Sequence, residues 1–263
     1  MDNVLDSELY ILEGTYGDRE VHLCRCMPKH PNGINVILLH GVHSSANLSY
    51  HNKFRHLAEI LADNGLTPWL VETSRRIRNR QELKDNITAW IKGSFKEKTY
   101  MQEQEDVFIA LRKVLEEARD KSLWLWGFSL GGIIALSAAA GGIVREGVSP
   151  IFDRLILSGT GLISYPEVEE NMMKLPILST LRSAISPEVL MKTAAGKVIA
   201  FRGERDEIFS KESCLDLLKR INIPDKDKFF HVIEKADHSL RTRDGAADPS
   251  IMNEMLDFLL NIR

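Results

Sequence analysis

Ser129 stands in the run Gly127-Phe128-Ser129-Leu130-Gly131, with a further glycine at Gly132. Ahead of it, residues 123–126 (Leu-Trp-Leu-Trp) form an apolar run of strand length, and behind it residues 133–140 read as a buried helix. A serine so placed sits on a turn too sharp for bulky neighbours, and the helix that follows must pass close to the sheet. The hydroxyl is then lifted clear of the backbone, near the positive end of that helix. The chemistry this suits is nucleophilic attack. A serine hydroxyl is a weak nucleophile, however, and needs a base to take its proton and a third group to orient that base. Two later stretches offer such groups at strand ends. Residues 197–201 lead into a loop carrying Glu204, Asp206 and Glu207; residues 229–233 contain His231 and lead to Asp237 and His238. His231 lies inside its apolar run, where a structural histidine is the plainer reading, so His238 is the expected base. Spacing alone leaves the three acids open.

These residues need a rigid frame, and the chain has material for one. It has 263 residues, 44% hydrophobic and 27% charged, which suits one large α/β domain better than two. Residues 9–12 and 21–26, joined across a glycine-bearing turn, read as a β-hairpin. Residues 34–39 are an apolar, β-branched strand of the kind covered on both faces. Tyr50, Phe54, Leu57, Ala58 and Leu61 recur at helical spacing, with Gly65 as the stop, and residues 68–71 form the next strand. Leu83, Ile87, Trp90 and Ile91 mark one face of an extra amphipathic segment. Val107, Leu111, Val114, Leu115 and Ala118 form the cleanest helical stripe, feeding the strand before Ser129. Another buried strand follows at 154–159, and Asp248 with Pro249 opens a closing helix buried through Ile251, Met252, Met255, Leu256 and Leu259. This alternation predicts a mainly parallel sheet with helices on both faces and antiparallel strands from the leading hairpin.

The strand at 34–39 ends in His40-Gly41-Val42-His43. An apolar strand ending in His-Gly, with a Gly-x-Ser-x-Gly turn downstream, resembles the α/β-hydrolase superfamily. The resemblance implies that Ser129 is the nucleophile, and it selects the acid. Asp206 lies three residues beyond Gly203 and matches the superfamily's Gly-x-x-Asp loop, while His238 in Ala-Asp-His-Ser matches its histidine loop. The order serine, acid, histidine is also that of the superfamily. It further implies backbone N–H donors for an oxyanion at Val42 and Leu130, with His40 shaping the loop and His43 either lining the site or solvated. Residues 161–193, punctuated by Pro166, Pro176 and Pro187, resemble the small helical cap that such hydrolases insert. Met172, Met173, Leu178 and Leu181 are then candidates for an apolar wall or for packing the cap onto the body. The implied activity is hydrolysis of small to medium acyl esters through an acyl-enzyme, with no metal or organic cofactor. A serine peptidase or an acyl-thioesterase would use the same three residues, and a ligand receptor on the same fold is the non-enzyme alternative.

Arg75, Arg76, Arg78 and Arg80 replace the Asp-x-x-Gly-x-Gly-x-Ser stretch that many of these hydrolases carry. They could hold a phosphate or carboxylate, but a solvated loop is the expectation. A net charge of −3 gives no pull toward nucleic acid or anionic membranes. No stretch reaches the roughly 20 apolar residues of a membrane span, and the acidic start lacks a secretory signal's features, so a cytoplasmic protein is expected. Cys24, Cys26 and Cys214 have no framework spacing, and Cys24 and Cys26 share a strand face too closely for an ordinary disulfide. Free thiols are expected. The partner is a small acyl substrate; the oligomeric state is not encoded legibly.

Overall fold

The hydrophobic runs become strands, and their period decides which face each residue serves. In the computed structural model, residues 5–262 are described except 51, 80–82, 84–85, 119–120, 144–149, 172, 174, 182–184 and 243–247, together with the side chains of 169–171. Strands β1 (Ser7–Glu13), β2 (Glu20–Cys26), β3 (Ile34–Leu39), β4 (Thr67–Glu72), β5 (Ser122–Phe128), β6 (Phe152–Ser158), β7 (Ala195–Arg205) and β8 (Lys228–Asp237) form one eight-stranded sheet. Its order is β1-β2-β4-β3-β5-β6-β7-β8. Pairing is antiparallel for β1–β2 and β2–β4 and parallel from β4 through β8, as the alternation predicts.

The helices are α1 (Lys53–Asp63), α2 (Ile87–Phe95), α3 (Tyr100–Glu117), α4 (Leu130–Ser137), α5 (Pro166–Asn171), α6 (Pro176–Ser179), α7 (Pro187–Lys192), α8 (Lys211–Arg220) and α9 (Pro249–Asn261). Alternate residues of the central strands feed two cores. Val36, Leu38, Trp124, Trp126 and Ile199 pack with α1 and α9, whereas Ile37, Leu39, Leu125, Leu155 and Val198 pack with α3, α4 and α8. A sheet covered on both faces needs apolar residues at every position, which is why these strands show no alternation in sequence. Cys24 and Cys26 lie with the first core and are free, as is Cys214.

Local chemistry sets the helix ends. Thr99 and Gln102 form a reciprocal capping box at the start of α3. Asp248 caps α9 with Pro249 as its first residue, and Pro176 and Pro187 open α6 and α7 in the same way. The Asn52 side chain accepts from Phe54 N–H and starts α1 at Lys53. Tyr50, expected on the buried stripe, therefore lies outside the helix and is 68% exposed. Ile87 also departs from expectation and is exposed. The anchor of α2 lies further along, where Trp90 Nε1 and Ser94 Oγ both donate to the Ile77 carbonyl. Strands β7 and β8 run longer than their apolar cores suggest and carry their pairing up to Arg205 and Asp237. Asp206 and His238 thus emerge directly from strand ends.

The arginine run is not simply a solvated loop, which corrects the expectation for Arg75 and Arg78; Arg76 is exposed. Arg75 is fully buried, its Nε donating to Thr73 O and its Nη1 to Ser44 O, with the guanidinium against the Trp90 and Phe95 rings. Arg78 bridges Glu72 and Asp18, and Arg76 pairs with Glu97. Acids from three other parts of the chain hold these cations. Burial alone would raise the Glu72 carboxyl, but Arg75 and Arg78 hold it below the usual carboxylate range. Arg80 lies outside the described residues.

Candidate active site

Strand β5 ends at Phe128, and Ser129 takes φ 53° and ψ −115° before α4 begins at Leu130. Such a backbone is strained for a residue with a side chain and persists only where its surroundings fix it. Here Ser129 N–H donates to Ser158 O at 2.8 Å, and Ser129 O accepts from Gly132 N–H at 2.9 Å and Thr160 Oγ1 at 3.2 Å. The glycines permit the close approach. A Cβ on Gly127 would stand 2.3 Å from Gly131 O, and one on Gly131 would stand 2.6 Å from Leu39 O and 2.7 Å from His40 O. These obstacles are backbone and cannot swing aside. Gly131→Ala is expected to cost about 3 kcal/mol, lowering Tm by about 6–12 °C in a chain of this size; an unchanged melting curve would contradict the packing described.

The three expected residues come together. His238 Nε2 lies 3.0 Å from Ser129 Oγ, and its Nδ1 lies 3.0 and 3.1 Å from the two Asp206 carboxylate oxygens. A carboxylate only accepts, so Nδ1 carries the proton and Nε2 is left to accept from the serine hydroxyl. The Asp206 carboxylate is fully buried and also accepts from Ile208 N–H and Phe209 N–H. Burial would raise its pKa, but the His238 hydrogen bond and charge, with the two backbone donors, hold it below the ordinary value.

The neighbours of the two loops are structural. Glu204 accepts from Lys235 N–H, Asp237 accepts from Arg241 N–H, and Glu207 is exposed. His231 binds Glu254 at 2.7 Å and stacks on Phe258, as its place inside the strand suggests. Arg202 was not singled out by sequence. Its guanidinium donates to the carbonyls of Glu204, Asp206 and Phe209 and so fixes the acid loop from beneath. The available signal was an arginine closing an otherwise apolar strand.

On the other side of Ser129, a Cβ on Gly41 would lie 3.3 Å from Ser129 Cβ, so the His40–Val42 loop is packed against the turn. His40 is buried, and its Nδ1 lies 2.8 Å from Gly41 O. Burial is the largest influence on its pKa and depresses it. His43 is partly buried, its ring lying against Phe95, and burial pushes its pKa down to about 4. Among the described residues, no group of three or more His, Cys, Asp or Glu side chains is placed to hold a metal ion.

In the stretch 161–193, Ile177 is buried in the core beside α3, with Leu181 packed at its edge. Met173 and Leu178 are half-buried, and Met172 lies outside the described residues.

No protein-family model matches the sequence, and no curated protein matches it. Solved structures do. A thermostable carboxyl esterase from Bacillus coagulans superposes with a TM-score of 0.69 at 14% identity, covering 98% of this chain and 99% of that one. A soluble variant of monoglyceride lipase from Saccharomyces cerevisiae gives 0.67 at 14% identity, over 98% and 95%. An alpha-beta serine hydrolase homologue from Coxiella burnetii gives 0.60 at 17% identity, over 96% and 95%. Together with the strand order, these similarities define the fold as that of the α/β hydrolases, as the sequence implies. Among the described residues, no helix is long and apolar enough to cross a membrane.

Proposed function

We propose that the chain is a serine hydrolase acting on carboxylic esters of small to medium acyl groups. The observation that carries this reading is the unbroken hydrogen-bonded chain from Asp206 through His238 to Ser129, all three contacts near 3.0 Å. In the first step Ser129 Oγ attacks the ester carbonyl while His238 Nε2 takes its proton, and the imidazolium formed is stabilised by Asp206. His238 then returns the proton to the leaving alcohol as the C–O bond breaks. Water, deprotonated by the same histidine, hydrolyses the acyl-enzyme and restores Ser129.

The oxyanion donors proposed are the N–H groups of Val42 and Leu130. Leu130 is the first residue of α4, so its N–H has no intrahelical acceptor. Val42 is supported by the His40 bond: in a trans peptide the C=O and the next N–H point oppositely. With Gly41 O turned toward His40 Nδ1, the Val42 N–H is turned away from it. Each such donor is worth about 3 kcal/mol in the transition state. Residues 161–193 are proposed as a small cap over this site, and the protein as cytoplasmic.

An acyl-thioesterase acting on a phosphorylated carrier would need a holder for the phosphate, and the arginine run is the candidate. That support weakens, because Arg75, Arg76 and Arg78 are engaged by Glu72, Glu97 and Asp18. Hydrolysis of p-nitrophenyl esters from acetate to laurate tests the proposal. Turnover with a chain-length optimum is expected; no turnover on any ester, with cleavage of an amide or thioester bearing the same acyl group, would replace it with a peptidase or thioesterase.

A further inference from the structure

The Ser129–His238 contact joins loops at the ends of β5 and β8, and these strands are separated in the sheet by β6 and β7. At about 4.8 Å per strand, their ends start about 14 Å apart. No sheet hydrogen bond holds the two loops together, so something else must set a 3.0 Å contact between them. The first turn of α1 lies across the gap. Lys53, the first residue of α1, donates from Nζ to the carbonyl of Ser239 at 2.8 Å, and Nζ stands 4.4 Å from the centre of the Phe128 ring. Phe128 immediately precedes Ser129, and Ser239 immediately follows His238. The residue before it, Asn52, donates to Ser45 O at 3.0 Å and so ties the same helix end to the loop that carries Val42.

Stability alone does not favour a lysine here. The N-terminus of a helix repels cations, and among the described residues Lys53 forms no ion pair. The charged groups facing Nζ come from the end of β8 and the turn after it: Arg241 opposes its charge and Asp237, the last residue of β8, favours it. Phe54 of α1 and Phe128 of β5 present only rings. Burial is the largest influence, and with Arg241 it holds the ammonium pKa down to about 7, far below that of a solvated lysine.

The geometry points to Lys53 as a positioning residue, whose ammonium clamps the histidine loop to the serine turn and thereby sets the distance between base and nucleophile. It does not touch the substrate or the reacting atoms. Loss of its proton removes the attraction to the Phe128 ring and weakens the bond to the Ser239 carbonyl. Activity therefore falls as pH rises through the region of about 7, where the lysine discharges.

This inference rests on the hydrolase reading above, and its test separates the two. Ester hydrolysis is followed from pH 5.5 to 9 for the wild type, Lys53→Met, Lys53→Arg and Ser129→Ala. Lys53→Met is expected to lose about 10- to 100-fold in kcat with little change in KM, the range a small misplacement of reacting groups produces. Its melting temperature is expected to stay near that of the wild type. Lys53→Arg keeps the charge at every pH and is expected to restore most of kcat and to lack the alkaline decline near pH 7. A Lys53→Met enzyme as fast as the wild type at pH 6 would overturn the clamp. So would an alkaline decline that persists unchanged in Lys53→Arg, and this holds even if Lys53→Met does not fold. Retained activity in Ser129→Ala would instead overturn the hydrolase assignment and leave the lysine effect to be read on its own.

Discussion

Ser129→Ala is expected to lower kcat/KM for the proposed ester hydrolysis by about 10⁴-fold or more, with the melting temperature moving by only a few degrees. The size of the first effect follows from the machinery acting as a unit: without the nucleophile, the base and its carboxylate have no proton to move, and only oxyanion stabilisation and binding remain. The second effect is small because Ser129 contributes little to packing that its Cβ does not retain. Its backbone bonds to Ser158 and Gly132 are unaffected, and alanine meets the same φ of 53°. The loss is one hydroxyl contact with His238, about 1 kcal/mol. Asp206→Asn makes a sharper companion. An asparagine oxygen can still accept from Ile208 and Phe209 N–H, so the acid loop keeps its shape. What changes is the group facing His238 Nδ1, which loses the charge that stabilises the imidazolium and the acceptor that fixes the tautomer. A loss of about 10⁴-fold in kcat is expected. A fall of less than tenfold in either variant would show that another residue carries the chemistry.

The serine turn was legible because its requirements are local. A strand, three glycines and a helix between residues 122 and 137 leave few other structures for Ser129, although bonds that hold its strained backbone come from Ser158 and Thr160. Asp206 was legible only through the register of its loop, since Glu204 and Glu207 have the same chemistry and differ in direction. What sequence missed has a common physical origin. Arg75, Arg78, Arg202 and Lys53 look like surface charge when only their neighbours in the chain are read. For two of them the partners come from far away: Asp18 is 60 residues from Arg78, and Ser239 is 186 residues from Lys53; Arg202 meets carbonyls only 2, 4 and 7 residues on, in a loop whose path the sequence does not show. Hydrophobic periodicity reports which face is buried, but it carries no record of which charge will meet which. The same limit explains Tyr50 and Ile87. Each lies at a helix end where a polar anchor, Asn52 or the Trp90–Ser94 pair, overrides the apolar stripe.

The largest effect on stability is expected from a residue far from any reacting atom. Lys98 is fully buried, and its Nζ binds Glu103 at 2.6 Å, Asp106 at 2.8 Å and the Ser74 carbonyl at 2.6 Å. Asp106 also accepts from Thr15, in the turn between β1 and β2, and from Ser74, in the loop after β4. One ammonium thus holds three parts of the chain behind the His40 loop. Lys98→Met keeps the stem and deletes the charge, leaving Glu103 and Asp106 buried without that cation. The expected cost is about 3–5 kcal/mol, because an uncompensated buried charge is penalised far more than an intact pair is rewarded. Adding Glu103→Gln should restore part of this, since the double variant buries one carboxylate without its cation instead of two.

The pH dependence separates this cause from lost packing. Burial alone would raise the Glu103 pKa, but Lys98 above all pulls it down to about 2. A folded value below the unfolded value of about 4.3 means stability that is fully present above that pH and lost as pH falls toward about 2. In Lys98→Met the desolvation is unopposed by lysine and the carboxyl shifts upward, so Glu103 favours folding only when protonated. The variant's deficit is therefore expected to be largest at pH 7 and to shrink toward pH 4.5, measured as the difference in urea unfolding free energy from the wild type. A deficit that stays constant between the two pH values would assign the loss to methionine's fit in the core and not to the charge it leaves behind.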